Sequence, residues 1–240
     1  MLKQLLSKEL VSRHLAVSRS QAEDIIRRGF VVVNNTQSLD PNLLVDGNAV
    51  IKVLPKAQFV SRAGEKLFSV LDSLGIEFEE QIVLDVGSST GGFSDVALRA
   101  GARKVIAVDI GSQQLHPKLR LEPRLELHEK TDIREFKTNE KIDKVLIDVS
   151  FVSLREILPA VSKLVGPQVE IIAMVKPQFE ADDRLLSGGV IKNNHLRRDV
   201  LKDFEAWIRP HYQILAKADS GVAGAKGNVE RFYRLRATSS

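Results

Sequence analysis

The run at residues 171–175, "IIAMV", reads as a buried strand, yet it ends on a lysine, Lys176, followed at once by Pro177. Two other apolar runs end on a charge in the same way, "KVIAVD" on Asp109 and "KVLID" on Asp148. A fourth run, "IVLDVG", carries Asp85 within it and passes through "SSTGG" into a helix-like segment, with glycines at 87, 91 and 92. An amine and several carboxylates can orient a hydroxyl, accept its proton or hold a ribose diol. A Gly-rich turn lets the backbone approach a ligand closely, and a helix N-terminus behind it offers free N–H groups. The turn is not a phosphate loop, because no Gly-Lys-Ser/Thr follows, and Ser89 interrupts a clean G-x-G-x-x-G. Taken singly, each feature has a plain reading: a strand-end charge marks an exit into solvent, and glycines fill ordinary βα turns.

The elements around these residues decide whether they meet. From residue 59 onward, apolar strands at "IVLDVG", "KVIAVDI", "LELHEK", "KVLIDVSF" and "VEIIAMV" alternate with helical patterns, with "YQILAKADS" and "ERFYRLRA" as closing strands. "KLFSVLDSLGI" reads as one helix and "HLRRDVLKDFEAWIRPH" as a long amphipathic one. Such alternation predicts an α/β fold with a mostly parallel sheet covered on both faces. Ligands of parallel sheets sit at the carboxyl ends of the strands. Asp109, Asp148 and Lys176 therefore share one crevice with the Gly-rich turn.

The first part of the chain follows another rhythm. Leu2, Leu5, Leu6, Leu10 and Leu15 predict a helix over 1–15, and Ser18 or Ser20 caps a second helix that Gly29 ends. "FVVVNN" is a strand closed by a turn, and "LLVDGNAVIKVL" reads as a hairpin turning at Asp46–Asn48. The expected division is a small α+β unit at 1–54, a linker at 55–59 and the sheet domain at 60–240. Residues 1–60 carry eight Lys/Arg against five Asp/Glu, most of the chain's formal excess of +4. Arg13, Arg19, Arg27 and Arg28 in this unit, with Arg62 just beyond it, are candidates for gripping an RNA backbone, since a guanidinium matches phosphate with two parallel hydrogen bonds. The plain alternative is a solvated helix face.

Composition narrows the classes further. Hydrophobic residues at 43% and charged residues at 28% are ordinary for a globular protein. The absence of cysteine excludes disulfides and thiolate metal sites, and the five histidines lack ligand spacing, so no metal is expected. No apolar run reaches a membrane span, and the charged N-terminus lacks a signal-peptide core, which predicts a cytoplasmic location.

Resemblance adds to this reading. Residues 1–54, through Ser18-Arg19, Ala22, Ile26, Gly29, Val31–Val33, Asn34 and Asp46-Gly47, look like an S4 RNA-binding domain. The acid and Gly-rich turn, followed by an acid after the next strand, resemble the S-adenosylmethionine site of Rossmann-like methyltransferases, with NAD as the runner-up. The whole chain resembles the hemolysin A (TlyA) family, an S4 domain joined to an FtsJ-like ribose methyltransferase, through "SRAGEKL", "LDVGSSTGGFSD", "AVDIG", "DVSFVSL", "VKPQFEA", "GGVI" and "GNVE". It departs from the family's pattern at Ala63, Asp132, Ser112 and Gln113. The resemblance implies S-adenosylmethionine as cofactor, ribosomal RNA or ribosomal subunits as partner, and methylation of a cytidine ribose 2′-hydroxyl. It implies a catalytic set of Lys66, Asp148, Lys176 and Glu230, of which Lys66 and Glu230 could not be placed from spacing. Asp85, Gly87, Ser89, Gly91, Gly92, Phe93, Asp109 and Asp132 fall in the implied cofactor site. For Asp132 an equal alternative is a helix N-cap. Other readings are an RNA-binding protein with a vestigial cofactor domain and a membrane-active hemolysin. Gly188-Gly189 and Arg197-Arg198 make residues 184–198 a candidate lid.

Overall fold

The computed structural model describes residues 3–27, 29–54, 59–181, 191, 193–224 and 227–238. Arg28 and most of the candidate lid lie outside them. The chain divides into two compact units, Met1–Ser61 and Arg62–Ser240.

In the first unit, β1 (Gln4–Leu5) leads into α1 (Leu6–Ser12), and α2 (Arg19–Arg27) follows. The Ser18 hydroxyl accepts from the Gln21 N–H, capping α2. The Gly29 N–H closes that helix on the Ile26 carbonyl at a φ of 74°. Then come β2 (Val31–Val33), β3 (Thr36–Ser38), β4 (Leu44–Val45) and β5 (Ile51–Val53). Leu6, Leu10, Ala22, Ile26 and Val31 form its core, all fully buried. The expected hairpin across 44–53 does not form. β4 pairs with β1, and β5 pairs with β2. The tight hairpin lies instead between β2 and β3, where Asn34 and Asn35 both adopt positive φ, as a two-residue turn demands. Asp46 does make a turn, accepting from the Asn48 N–H, but it passes the chain from one sheet to another.

The second unit opens with α3 (Arg62–Phe68) and α4 (Leu71–Leu74), two short helices where the sequence pattern predicts one. Its parallel strands are β6 (Ile82–Val86), β7 (Lys104–Val108), β8 (Leu125–His128), β9 (Lys144–Ile147) and β10 (Glu170–Val175). The helices between and after them are α5 (Gly92–Arg99), α6 (Pro117–Arg120), α7 (Leu154–Val165), α8 (Pro177–Glu180) and α9 (Asn194–Ile208), and β11 (Tyr212–Asp219) and β12 (Arg231–Ala237) close the unit. The sheet order is β11-β12-β10-β9-β6-β7-β8, with β12 antiparallel to both neighbours.

Alternation along the strands sorts the helices onto two faces. Leu84, Val86, Val145, Ile147, Ile171, Ala173 and Tyr233 pack in one core with Leu158 of α7 and Phe204 of α9. The opposite face takes α5, whose Ser94 bonds Asp85 of β6 and whose Phe93 ring meets Phe232 of β12. All five residues of β6 are buried, as expected for the central strand. Among the described residues no helix is long and apolar enough to cross a membrane.

Candidate active site

Chain order reverses on either side of β6, with β7 to one side and β9 to the other. A crevice opens at such a point, outside the carboxyl ends of the strands. Here it is a cavity of about 500 Å³, walled by Gly87 and Ser89 after β6, Asp109–Gly111 after β7, Thr131–Arg134 after β8 and Asp148–Val152 after β9.

The Gly-rich turn is built by backbone geometry. Gly87 has a φ of 79°, and a Cβ there would lie 2.8 Å from the Asp148 carbonyl oxygen. Gly91, at a φ of 86°, precedes α5, and a Cβ there would strike Leu119. Gly92 begins α5, and Phe93 points into the core. Ser89 itself has a φ of 46°, and its N–H donates to Asp109 Oδ2 at 2.7 Å. The other Asp109 oxygen accepts from the Gly111 N–H at 2.6 Å, so this carboxylate ties the first βα turn to the second.

Asp85 lies behind the turn, fully buried. Its Oδ2 accepts from the Ser94 hydroxyl at 2.6 Å, while Oδ1 has no hydrogen-bond partner among the described residues. Burial pushes its carboxyl up to about 7; the Ser94 bond opposes this and the Asp148 and Asp109 charges add to it. Ser88 Oγ is likewise buried, with no partner among the described residues. Asp132 acts as a turn cap. It accepts from the Arg134 N–H and pairs with the Arg134 guanidinium, which holds its carboxyl below the usual carboxylate range, and it also lines the cavity.

The four charged residues implied by resemblance form two ion pairs. Lys176 Nζ lies 2.6 Å from Asp148 Oδ1 and donates to Ser150 Oγ at 2.8 Å. Lys66 Nζ, from α3, donates to Glu230 Oε1 at 2.7 Å, and both side chains are almost wholly buried. Glu230 Oε2 has no partner among the described residues. Antiparallel pairing sets Val175 opposite Arg231, so Lys176 and Glu230 are the next residues outward on adjacent strands. The two pairs thus share one end of the sheet.

Two residues here escaped sequence reasoning. Phe151 is 92% exposed at a φ of 64°, an uncommon conformation for a bulky residue, and it lines the cavity. Its ring centroid is 5.2 Å from that of Phe179. Glu180, in the turn after Lys176, accepts from the Ser153 hydroxyl and the Leu154 N–H. Both lie in segments that carry the resemblance, "DVSFVSL" and "VKPQFEA", but neither has a spacing or charge signal that would single it out.

The candidate RNA contacts differ among themselves. Arg13 donates to the Ala49 and Gly47 carbonyls and pairs with Glu9, so it braces the small unit from within. Arg19 and Arg27 are exposed on α2, each paired with Glu23. Arg62 begins α3 of the second unit.

A sheet of this order, with an antiparallel strand inserted beside the last parallel one and a Gly-rich turn at the reversal point, defines a Rossmann-like methyltransferase fold. Residues 59–237 match the FtsJ-like methyltransferase family and residues 5–51 match the S4 domain. The chain belongs to the FtsJ-like methyltransferases that carry an S4 domain, the hemolysin A and TlyA group. It is 38% identical to Hemolysin A of Brachyspira hyodysenteriae, over 89% of this chain and 91% of the relative. It is 36% identical to the 23S rRNA (cytidine-2′-O)-methyltransferase TlyA of Campylobacter jejuni, over 93% and 96%. The solved structure of a candidate hemolysin from Streptococcus thermophilus aligns with a TM-score of 0.78 at 33% identity, covering 100% of this chain and 90% of that one.

Proposed function

We propose that this protein transfers the methyl group of S-adenosylmethionine to the 2′-hydroxyl of a cytidine in ribosomal RNA. The observation that carries the reading is the Lys176 amine, held by Asp148 and Ser150 beside the cavity at the strand-order reversal. The name of the Campylobacter relative supplies the base and the RNA.

The residues present fit the cofactor. Gly87, Ser89, Asp109 and Asp132 line the cavity, with a Gly-rich turn on one wall and two carboxylates on the other. Gly87 and Ser89 would receive the cofactor's body at the turn, and Asp109, with lone pairs to spare, would take the ribose hydroxyls. The bound cofactor supplies a methyl group already activated by its sulfonium.

What remains for this chain is to align an oxygen and receive its proton. Lys176 holds the 2′-oxygen. The Asp148 carboxylate beside it would accept the hydroxyl proton as the oxygen takes the methyl group that the bound cofactor would supply. Lys66 and Glu230 fix the charge beside it. Phe151, exposed at the mouth, offers a face on which a splayed base stacks. The small unit brings the RNA.

The test is transfer of labelled methyl from S-adenosylmethionine to ribosomal subunits that lack the modification, followed by digestion to nucleosides. Labelled 2′-O-methylcytidine is expected, with Lys176→Ala silent while still folded and binding cofactor. Full transfer by that variant would remove Lys176 from the chemistry. No label on either subunit, with cofactor bound, would sink the substrate assignment.

A further inference from the structure

Two segments frame the Lys176–Asp148 pair, residues 148–153 after β9 and residues 176–180 after β10. Three contacts join them in order. Lys176 reaches Asp148 and Ser150; the Phe179 ring meets Phe151; and Glu180 closes the far end. Glu180 Oε2 accepts from the Ser153 hydroxyl at 2.6 Å, and Oε1 accepts from the Leu154 N–H at 2.8 Å. Its side chain is 1% exposed.

A buried carboxylate is costly to keep, and burial pushes this one above its ordinary value while both hydrogen bonds oppose that. An aliphatic side chain would fill the same space without the penalty. Capping α7 does not by itself require the carboxylate, because Ser153 already accepts from the Arg155 N–H as the helix N-cap. What the carboxylate does is bond two consecutive groups at the start of α7, and pair with Arg155 one residue further on at 3.7 Å, from a fixed point on the other segment.

We infer that Glu180 is a positioning residue for methyl transfer, locking the segment that carries Asp148 to the segment that carries Lys176. Its effect on the reaction rests on the proposed role of Lys176. A misplacement near 1 Å costs an aligned reaction on the order of 100-fold in rate. The substitution of Glu180 therefore acts first on kcat, with a smaller effect on RNA and cofactor binding through Phe151 and the cavity wall that the same segment carries.

The experiment uses the full chain with Glu180→Ala and Glu180→Gln. One readout is the ¹⁵Nζ ammonium resonance of Lys176, assigned by its loss in Lys176→Arg and visible when the ammonium is held in an ion pair. The other is methyl-transfer kinetics on ribosomal subunits that lack the modification. Glu180→Ala is expected to lose the resonance and about 10–100-fold in kcat. The loss in kcat should exceed any rise in KM for the subunits or loss of affinity for S-adenosylmethionine, because the displaced segment also carries Phe151 and walls the cavity. Glu180→Gln keeps one acceptor for Leu154 and an amide for Ser153, and should rescue both readouts. A Glu180→Ala protein with an intact resonance and kcat would overturn the inference, as would equal losses in both variants with KM raised as well. Should Glu180→Ala fail to fold, Glu180→Asp withdraws the same charge by one methylene and must show the same losses. If the resonance vanishes while kcat stands, positioning holds and the proposed role of Lys176 fails instead.

Discussion

Asp85 couples this fold to pH. Its carboxyl is raised to about 7 in the folded chain by burial, while the unfolded chain leaves it near 3.8. Between those values the folded state binds more protons than the unfolded state, so stability from this group falls as pH rises through the window. Asp85→Asn keeps an acceptor for Ser94 and cannot ionise. Denaturant melts should show the variant gaining on the parent between pH 5 and pH 8; a constant difference across that range would place the titration elsewhere. Phe151 invites a different test. Its exposed ring and positive φ make no sense as core packing, so Phe151→Ala should leave melting unchanged while lowering kcat/KM on RNA by the equivalent of roughly 1–3 kcal/mol, the value of one base stack. Unaltered kinetics would rule out a stack. The legibility of these residues differs for physical reasons. Lys176 and Asp148 stand out because a charge ending an apolar run is visible in a linear string. Lys66 and Glu230 do not, because they pair across 164 positions and neither has a local signature. Phe151 lies in the quoted segment "DVSFVSL", but nothing there singles it out, because its mark is a backbone angle.

At the scale of elements, the βα turn after β6 is the part of the proposed site most tightly constrained by its backbone. Gly87→Ala would force a side chain into positive φ and press its Cβ to 2.8 Å from a backbone oxygen that cannot swing away. Strain of that kind costs on the order of 1–3 kcal/mol, and relief would push the Asp148 segment outward. A lower melting temperature together with weaker binding of S-adenosylmethionine is expected; normal affinity in calorimetry would mean that the turn does not cradle the cofactor. The strands were readable in advance, since unbroken runs such as "IVLDV" and "IIAMV" fit only a strand buried on both faces. The helix α7 was not. Pro159 interrupts its pattern, yet the ring sits on an exposed turn while Leu154, Ile157, Leu158 and Val161 keep helical spacing on the buried face. The small unit shows the opposite failure. Asp46-Gly47 is a strong turn signal, but turn chemistry says only that the chain bends, and the partners of β4 and β5 were chosen by distant strands.

At the scale of the whole molecule, two units of different character share one chain. One carries most of the excess positive charge of the sequence, and the other carries the cavity. If the first grips RNA and the second performs chemistry, damage to each should separate cleanly in kinetics. Arg19 and Arg27 are the sharpest probes. Both are more than half exposed and among the described residues pair with Glu23, and exposed pairs of this kind are worth about 0–1 kcal/mol, so either guanidinium can turn to a phosphate. Replacing both with alanine should raise KM for ribosomal subunits and leave kcat at saturating RNA, and the affinity for S-adenosylmethionine, where they were. Each lost phosphate contact should also make the logarithmic salt dependence of RNA binding shallower by about 0.7. Arg13 supplies the contrast. It is spent on two carbonyls and Glu9 inside the small unit, so Arg13→Ala should lower thermal stability before it touches the salt slope. An unchanged slope in the Arg19/Arg27 double variant would mean that α2 is a solvated face, and the RNA grip would have to be sought on another surface.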